Sequence, residues 1–139
     1  MLHEMKLNSS PFERIKNGTK TIEFRLYDEK RQKIKIGDKI EFSKLPDLQE
    51  KLLVDVTDLY REDTFEKLFR KLYLNEEEII EKTKNMYEIY SYEKEQKYGV
   101  LGIKIKINVD SLKESIEKYV PYNEQEEVDK KIMLNYIND

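Results

Sequence analysis

Cysteine is absent from this 139-residue chain, so a disulfide framework, a thiol nucleophile and a thiolate metal site are all excluded. Histidine occurs once, at His3, and a Ser/His/Asp triad would have to use it. No nucleophile-elbow pattern surrounds Ser9, Ser10, Ser43, Ser91, Ser111 or Ser115, so no triad is expected. With only four glycines, the chain has no Gly-rich phosphate loop and no dinucleotide fingerprint. Long apolar runs are missing too: none approaches the roughly 20 residues that a membrane-spanning helix needs. The first residues show neither an apolar h-region nor a basic leader, which makes the cytoplasm the expected compartment and a membrane partner unexpected. The run Glu76-Glu77-Glu78 points in different directions around a helix, so neither a metal nor another cofactor is expected.

What the chain does have is charge, at 40% of residues, with enough apolar content (38%) for one core. The net charge of −3 is unevenly spread. Residues 1–44 carry a net +4 and residues 45–139 a net −7. A basic segment inside an acidic protein suits an anionic ligand focused on one face and argues against broad, nonspecific nucleic-acid binding.

Periodicity orders the chain as strand, helix, strands, helices, strand. Leu2 to Leu7 reads as a strand. Ser10, Pro11 and Glu13 read as the cap, first residue and capping-box partner of a helix ending at Asn17 before Gly18. Lys20 to Tyr27 alternates cleanly: Ile22, Phe24 and Leu26 form a packing face, while Thr21, Glu23, Arg25 and Tyr27 form an available one. Strands follow at Lys39 to Ser43 and around Leu52, Val54 and Val56. Helical spacing marks Phe65 to Leu72 and Ile79 to Tyr90, and a strand from Tyr98 to Ile107 is placed to close a barrel. Beyond Asn108 the acidic, amphipathic sequence predicts a helical extension over 109–139.

Glu23 and Arg25 share a strand face about 7 Å apart, with Lys20 at the mouth of the preceding turn. Arginine offers a planar fork for phosphate or a base edge, glutamate accepts from exocyclic amino groups, and lysine supplies a point charge. A desolvated Lys20 could act as base or nucleophile with Glu23 as its proton partner. The bland alternative is an ion pair on a solvated strand, worth about 0.2–1 kcal/mol, beside an exposed lysine. The basic group Lys30, Arg31, Lys33 and Lys35 could follow a phosphate backbone, and Tyr27, Tyr90, Tyr92 and Tyr98 are candidates to stack on bases. Ordinary core packing of those tyrosines competes with stacking.

The run Pro11-Phe12-x-x-Ile15-Lys16-x-Gly18-x-Lys20-Thr21-Ile22-Glu23-x-Arg25-Leu26-x-Asp28-x-Lys30-Arg31 is followed by Ile36-Gly37-Asp38-x-Ile40-x-Phe42 and, later, Tyr98-Gly99-Val100-Leu101-Gly102-Ile103. Together these resemble the signature of ASCH-domain proteins over residues 1–108. The resemblance implies an α+β fold, a PUA-like antiparallel β-barrel with flanking helices and a C-terminal helical appendage. It also implies a cleft lined by Lys20, Glu23 and Arg25, with Tyr27, Lys30 and Arg31 as further ligand-binding candidates. RNA, a nucleotide or a modified nucleoside is the implied partner. Some ASCH-like proteins resemble amidohydrolases acting on acylated cytidine, with a threonine three residues after the lysine. Here that position is Glu23, so a hydrolase using Lys20 and Glu23 as catalytic residues stands as the alternative. Other relatives are regarded as nucleases; no full nuclease site maps onto the chain residue by residue, and a ribonuclease using Lys20 and Glu23 stands within the same alternative. Residues 120–137 resemble the leader of some Nudix hydrolases without the Nudix box, which leaves as a third reading a protein-interaction domain of a longer ASCH–Nudix type polypeptide, with self-association or a domain contact through 110–139.

Overall fold

A computed structural model describes residues 1–111 of the chain. The expected helical extension lies almost wholly outside the described residues; Val109 to Ser111 are helical, with the Asn108 side chain accepting from the Ser111 amide at 2.8 Å.

Five strands form one curled sheet in the order β1-β3-β4-β5-β2. They are β1 (Leu2–Leu7), β2 (Ile22–Leu26), β3 (Lys39–Lys44), β4 (Lys51–Glu62) and β5 (Val100–Ile107). The class is α+β as expected, but the sheet is mixed, because β1 runs parallel to β3 while every other pairing is antiparallel. A further correction concerns closure. β5 was expected to close a barrel, yet it lies inside the sheet between β4 and β2, leaving β1 and β2 as the two edges of a half-barrel. Side chains span the remaining gap: Arg25 Nη2 donates to the Lys6 carbonyl at 3.0 Å and Lys30 Nζ to the Glu4 carbonyl at 2.8 Å. Carbonyls on β1 thus find donors without a ladder partner, which also blunts an edge open to other chains.

Two cores flank the sheet. The concave core collects Met5, Leu7, Phe12, Ile15, Phe42 and Val54 among others, with α1 (Ser9–Lys16) contributing its two buried residues. On the convex side, Phe65, Leu68 and Phe69 of α2 (Phe65–Leu72) and Ile79 of α3 (Glu76–Ile89) pack with Leu26 and Val100. Burying each such side chain contributes about 1.5–3 kcal/mol, far more than any surface ion pair here. β4 serves both cores. A register shift between Val56 and Asp58 lets the strand run on to Glu62, so that Leu59 packs on the first core and Tyr60 on the second. The sequence reading placed this strand only around Leu52 to Val56, since the bulge interrupts its alternation.

Helix α1 starts earlier than its signals suggest. Asn8 is the N-cap residue and makes no side-chain cap bond, Ser10 is helical, and Glu13 pairs with Lys44 Nζ at 2.6 Å. Pro11 is tolerated two positions deeper, at the third helical residue, because the amides of the first turn lack intrahelical acceptors. A fourth helix, α4 (Tyr92–Tyr98), was not anticipated, and Tyr98 ends it instead of opening β5. Ser91 caps it through the Lys94 amide at 3.2 Å, and Gly99 at φ 72° terminates it. No helix among the described residues is long and apolar enough to cross a membrane.

Candidate functional site

A cleft of about 590 Å³ opens between the α1–β2 corner and the α2–α3 pair. Its basic wall is assembled by local chain geometry. The last turn of α1 ends at Asn17, Gly18 takes φ 83°, and Thr19 fastens the reversal by bonding Asn17 Oδ1 through its amide (3.0 Å) and hydroxyl (2.8 Å). The Lys20 amide then donates to the Arg14 carbonyl at 3.0 Å, which presents the Lys20 side chain to the cleft. From β2, Glu23 and Arg25 follow on one strand face.

These three form a single cluster. Lys20 Nζ lies 2.9 Å from Glu23 Oε1, and Arg25 donates to Glu23 Oε2 through Nε at 3.3 Å and Nη2 at 3.0 Å. The Phe24 amide adds a fourth bond, to Glu23 Oε1 at 3.2 Å. Glu23 is only 4% exposed, and the side chains of Lys20 and Arg25 are 17% and 15% exposed. That removes the solvated ion-pair reading: Phe24 and Leu26 pack in the helix-side core, and Tyr27, just past the end of β2, packs on the concave one. Burial alone would push the Glu23 carboxyl up, but the Lys20 and Arg25 charges and their hydrogen bonds outweigh it and hold the group below its ordinary 4.5.

The opposite wall is largely aromatic and apolar, with Glu78, Lys82 and Asn85 of α3 as its polar members. Phe69, Tyr73, Met86, Ile89 and Tyr90 line it. Phe69 meets Phe24 edge-on at 4.9 Å, and Tyr90 stacks on Phe65 at 5.7 Å, so the rings are braced from behind. Burial raises the pKa of the Tyr90 phenol, opposed by the nearby Arg25 charge and reinforced by that of Glu23. Among the described residues, Lys6, Arg14, Lys20, Arg25 and Lys82 line the cleft against two carboxylates, Glu23 and Glu78. One wall therefore attracts anions and the other accepts flat apolar groups.

Lys20, Glu23, Arg25 and Tyr90 are brought together, and other sequence candidates lie elsewhere. The ring of Tyr27 is covered by the Arg61 guanidinium at 3.7 Å. Lys30 serves the β1 edge, and Arg31 pairs with Asp28 at 3.1 Å. Tyr92 is 64% exposed, and Tyr98 packs on the helix-side core. His3 is a buried strand residue bonded to Asp38 Oδ2 at 2.8 Å. The sequence reading missed Lys6, Arg14, Phe69, Tyr73, Met86 and Lys82 as cleft residues. Nothing in their local pattern separates them from core or solvated positions; only the approach of α3 to the α1–β2 corner does. Among the described residues, no group of three or more His, Asp or Glu side chains is placed to hold a metal.

No curated protein matches the sequence. Solved structures do. The crystal structure of the hypothetical protein PH0355 is 36% identical, with a TM-score of 0.66 over 77% of this chain and 99% of that one. The solution structure of protein PF0455 from Pyrococcus furiosus is 37% identical, with a TM-score of 0.59 over 78% of this chain and 98% of that one. A mutant of ZmASCH from Zymomonas mobilis is 16% identical and shares the fold, with a TM-score of 0.52 over 96% and 95% of the two chains. The curled sheet with its flanking helices is thus of the PUA-like kind. The ASCH domain model matches residues 5–108, most of the chain and all five strands in whole or part, and the chain belongs to the ASCH domain family.

Proposed function

We propose that this protein binds RNA or a nucleotide-like ligand in the cleft lined by Lys20, Glu23 and Arg25. One observation carries the reading: a braced cationic cluster and an aromatic wall face each other across a single cavity of about 590 Å³. Cavities of this size commonly hold small ligands, and a nucleotide offers both an anion and a flat ring. Titration with nucleosides, nucleotides and short single-stranded RNAs, followed by NMR, tests it. Shifts confined to Lys20 to Arg25 and the Tyr73 to Tyr90 wall are expected. Their absence with every compound would end the reading.

A hydrolase reading rests on the 2.9 Å approach of Lys20 to Glu23 inside the cleft. Its test is turnover of RNA or an acylated nucleoside by the parent chain and by a Lys20→Ala, Glu23→Gln double variant. Equal turnover by both removes those two residues from catalysis.

A further inference from the structure

We infer that the cleft takes its ligand by a phosphate group, held between the Lys20 ammonium and the Arg25 guanidinium, and that Glu23 positions these two cations without reading the ligand. The inference rests on the nucleotide-binding reading above and narrows it to a phosphorylated nucleoside or an oligonucleotide, as opposed to a neutral nucleoside.

The argument is one of hydrogen-bond capacity. An ionised carboxylate has about four lone-pair sites. Glu23 accepts from Lys20 Nζ, the Phe24 amide, Arg25 Nε and Arg25 Nη2, so its acceptor capacity is filled. A base amino group approaching it would have to displace a cation already bound. Arg25 Nη2 is further occupied by the Lys6 carbonyl. What remains for a ligand is donors: the other two N–H groups of Lys20 and the Nη1 edge of Arg25, to which no described residue bonds. One carboxylate against two cations leaves this corner positive, and Lys6 and Arg14 add to the same wall.

A donor-only, positively charged corner selects an anionic acceptor, and the Nη1 donors of Arg25 with the Lys20 ammonium beside them can each reach a different oxygen of a tetrahedral phosphate. A neutral nucleoside entering the cleft offers these donors only uncharged acceptors and forgoes the charge-assisted bonds that a phosphate makes. The flat part of the ligand is left to Met86 and Tyr90, since Lys82 Nζ already lies over the Tyr73 ring at 4.9 Å, and stacking on such a surface is tolerant of base identity.

Calorimetry on the full chain with the four common nucleosides, their 3′- and 5′-monophosphates and inorganic phosphate tests this. Each base is expected to bind at least about tenfold tighter as one of its monophosphates than as its nucleoside, a difference of about 1.4 kcal/mol, with little spread between bases. Arg25→Lys, which keeps the charge but loses the Nη1 donors and the guanidinium bonds that hold Glu23, should close most of that gap. Glu23→Gln should weaken all monophosphates by a similar factor and leave their ranking intact. Nucleosides binding as tightly as monophosphates would overturn the inference while leaving the cleft reading in place. So would a Glu23→Gln variant that changes only the preference among bases. Absence of binding by every compound and by a short single-stranded RNA would overturn the cleft reading itself. The nucleoside comparison needs no variant, so it decides the matter even if Glu23→Gln fails to fold.

Discussion

At the residue scale, Asp38 and Glu23 are among the carboxylates that shape the pH response. Asp38 accepts from His3 at 2.8 Å and from the Lys35 amide at 3.0 Å, and these bonds hold its carboxyl down at about 2 against an ordinary 3.8. Because the folded group is the stronger acid, protons bind the unfolded chain first. Its stabilisation is complete above about pH 4 and is lost as pH falls from there toward about 2. Urea midpoints measured across that window should fall less steeply in Asp38→Asn than in the parent. Glu23 is lowered in the same direction and adds to the same acid limb. Replacing it by glutamine leaves two cations without their shared counter-ion in a mostly buried corner, at a cost of about 1–3 kcal/mol readable from the same urea curves. The identity of this cluster was legible from the spacing of Lys20, Glu23 and Arg25 alone. Its burial was not, because alternation says which residues share a face and not whether that face turns to water or into a curled sheet.

The element that positions the aromatic wall is the α2–α3–α4 group, and one side chain ties it together. Glu95 of α4 is fully buried. Its Oε2 accepts from the Phe65 amide at the start of α2 (3.0 Å), and its Oε1 accepts from the Tyr87 hydroxyl of α3 (2.6 Å). Glu95→Ala would strand the Phe65 donor and open a cavity, costing about 2–4 kcal/mol. Hydrogen exchange should then show the loss of protection concentrated in α2 and α3 and little changed in β3. Tyr87→Phe removes one of the two bonds and should cost about 1 kcal/mol. Gly99 is the other hinge of this group: at φ 72°, a Cβ there would sit 3.1 Å from the Glu62 carbonyl. Gly99→Ala is strained on both counts and should lower the thermal midpoint by several degrees. The α4 signals, Ser91 as cap and Gly99 as stop, are present in the sequence, but with tyrosine at both ends and five polar residues between, the segment lacks the apolar stripe that announces a helix.

For the whole molecule, the net charge of −3 disfavours broad, nonspecific attraction for polyanions. If Lys20 and Arg25 meet one or two phosphates, the affinity for a short single-stranded RNA should fall with salt on a log–log slope of about −1, far shallower than for proteins that track a backbone. A slope several times steeper would mean that the exposed Lys33 and Lys35 region is engaged as well. By itself the sequence determined the class of fold, the family, the alternating strands and the Lys20, Glu23, Arg25 set, because periodicity, capping residues and a short motif are local properties written in consecutive positions. Tertiary structure alone decided that β1 pairs in parallel with β3, that Glu23 is buried and fully bonded, and that Tyr73, Met86 and Tyr90 face it across one cleft. Those facts depend on which distant segments meet when two hydrophobic cores form on opposite sides of one curled sheet, and no local pattern encodes that meeting.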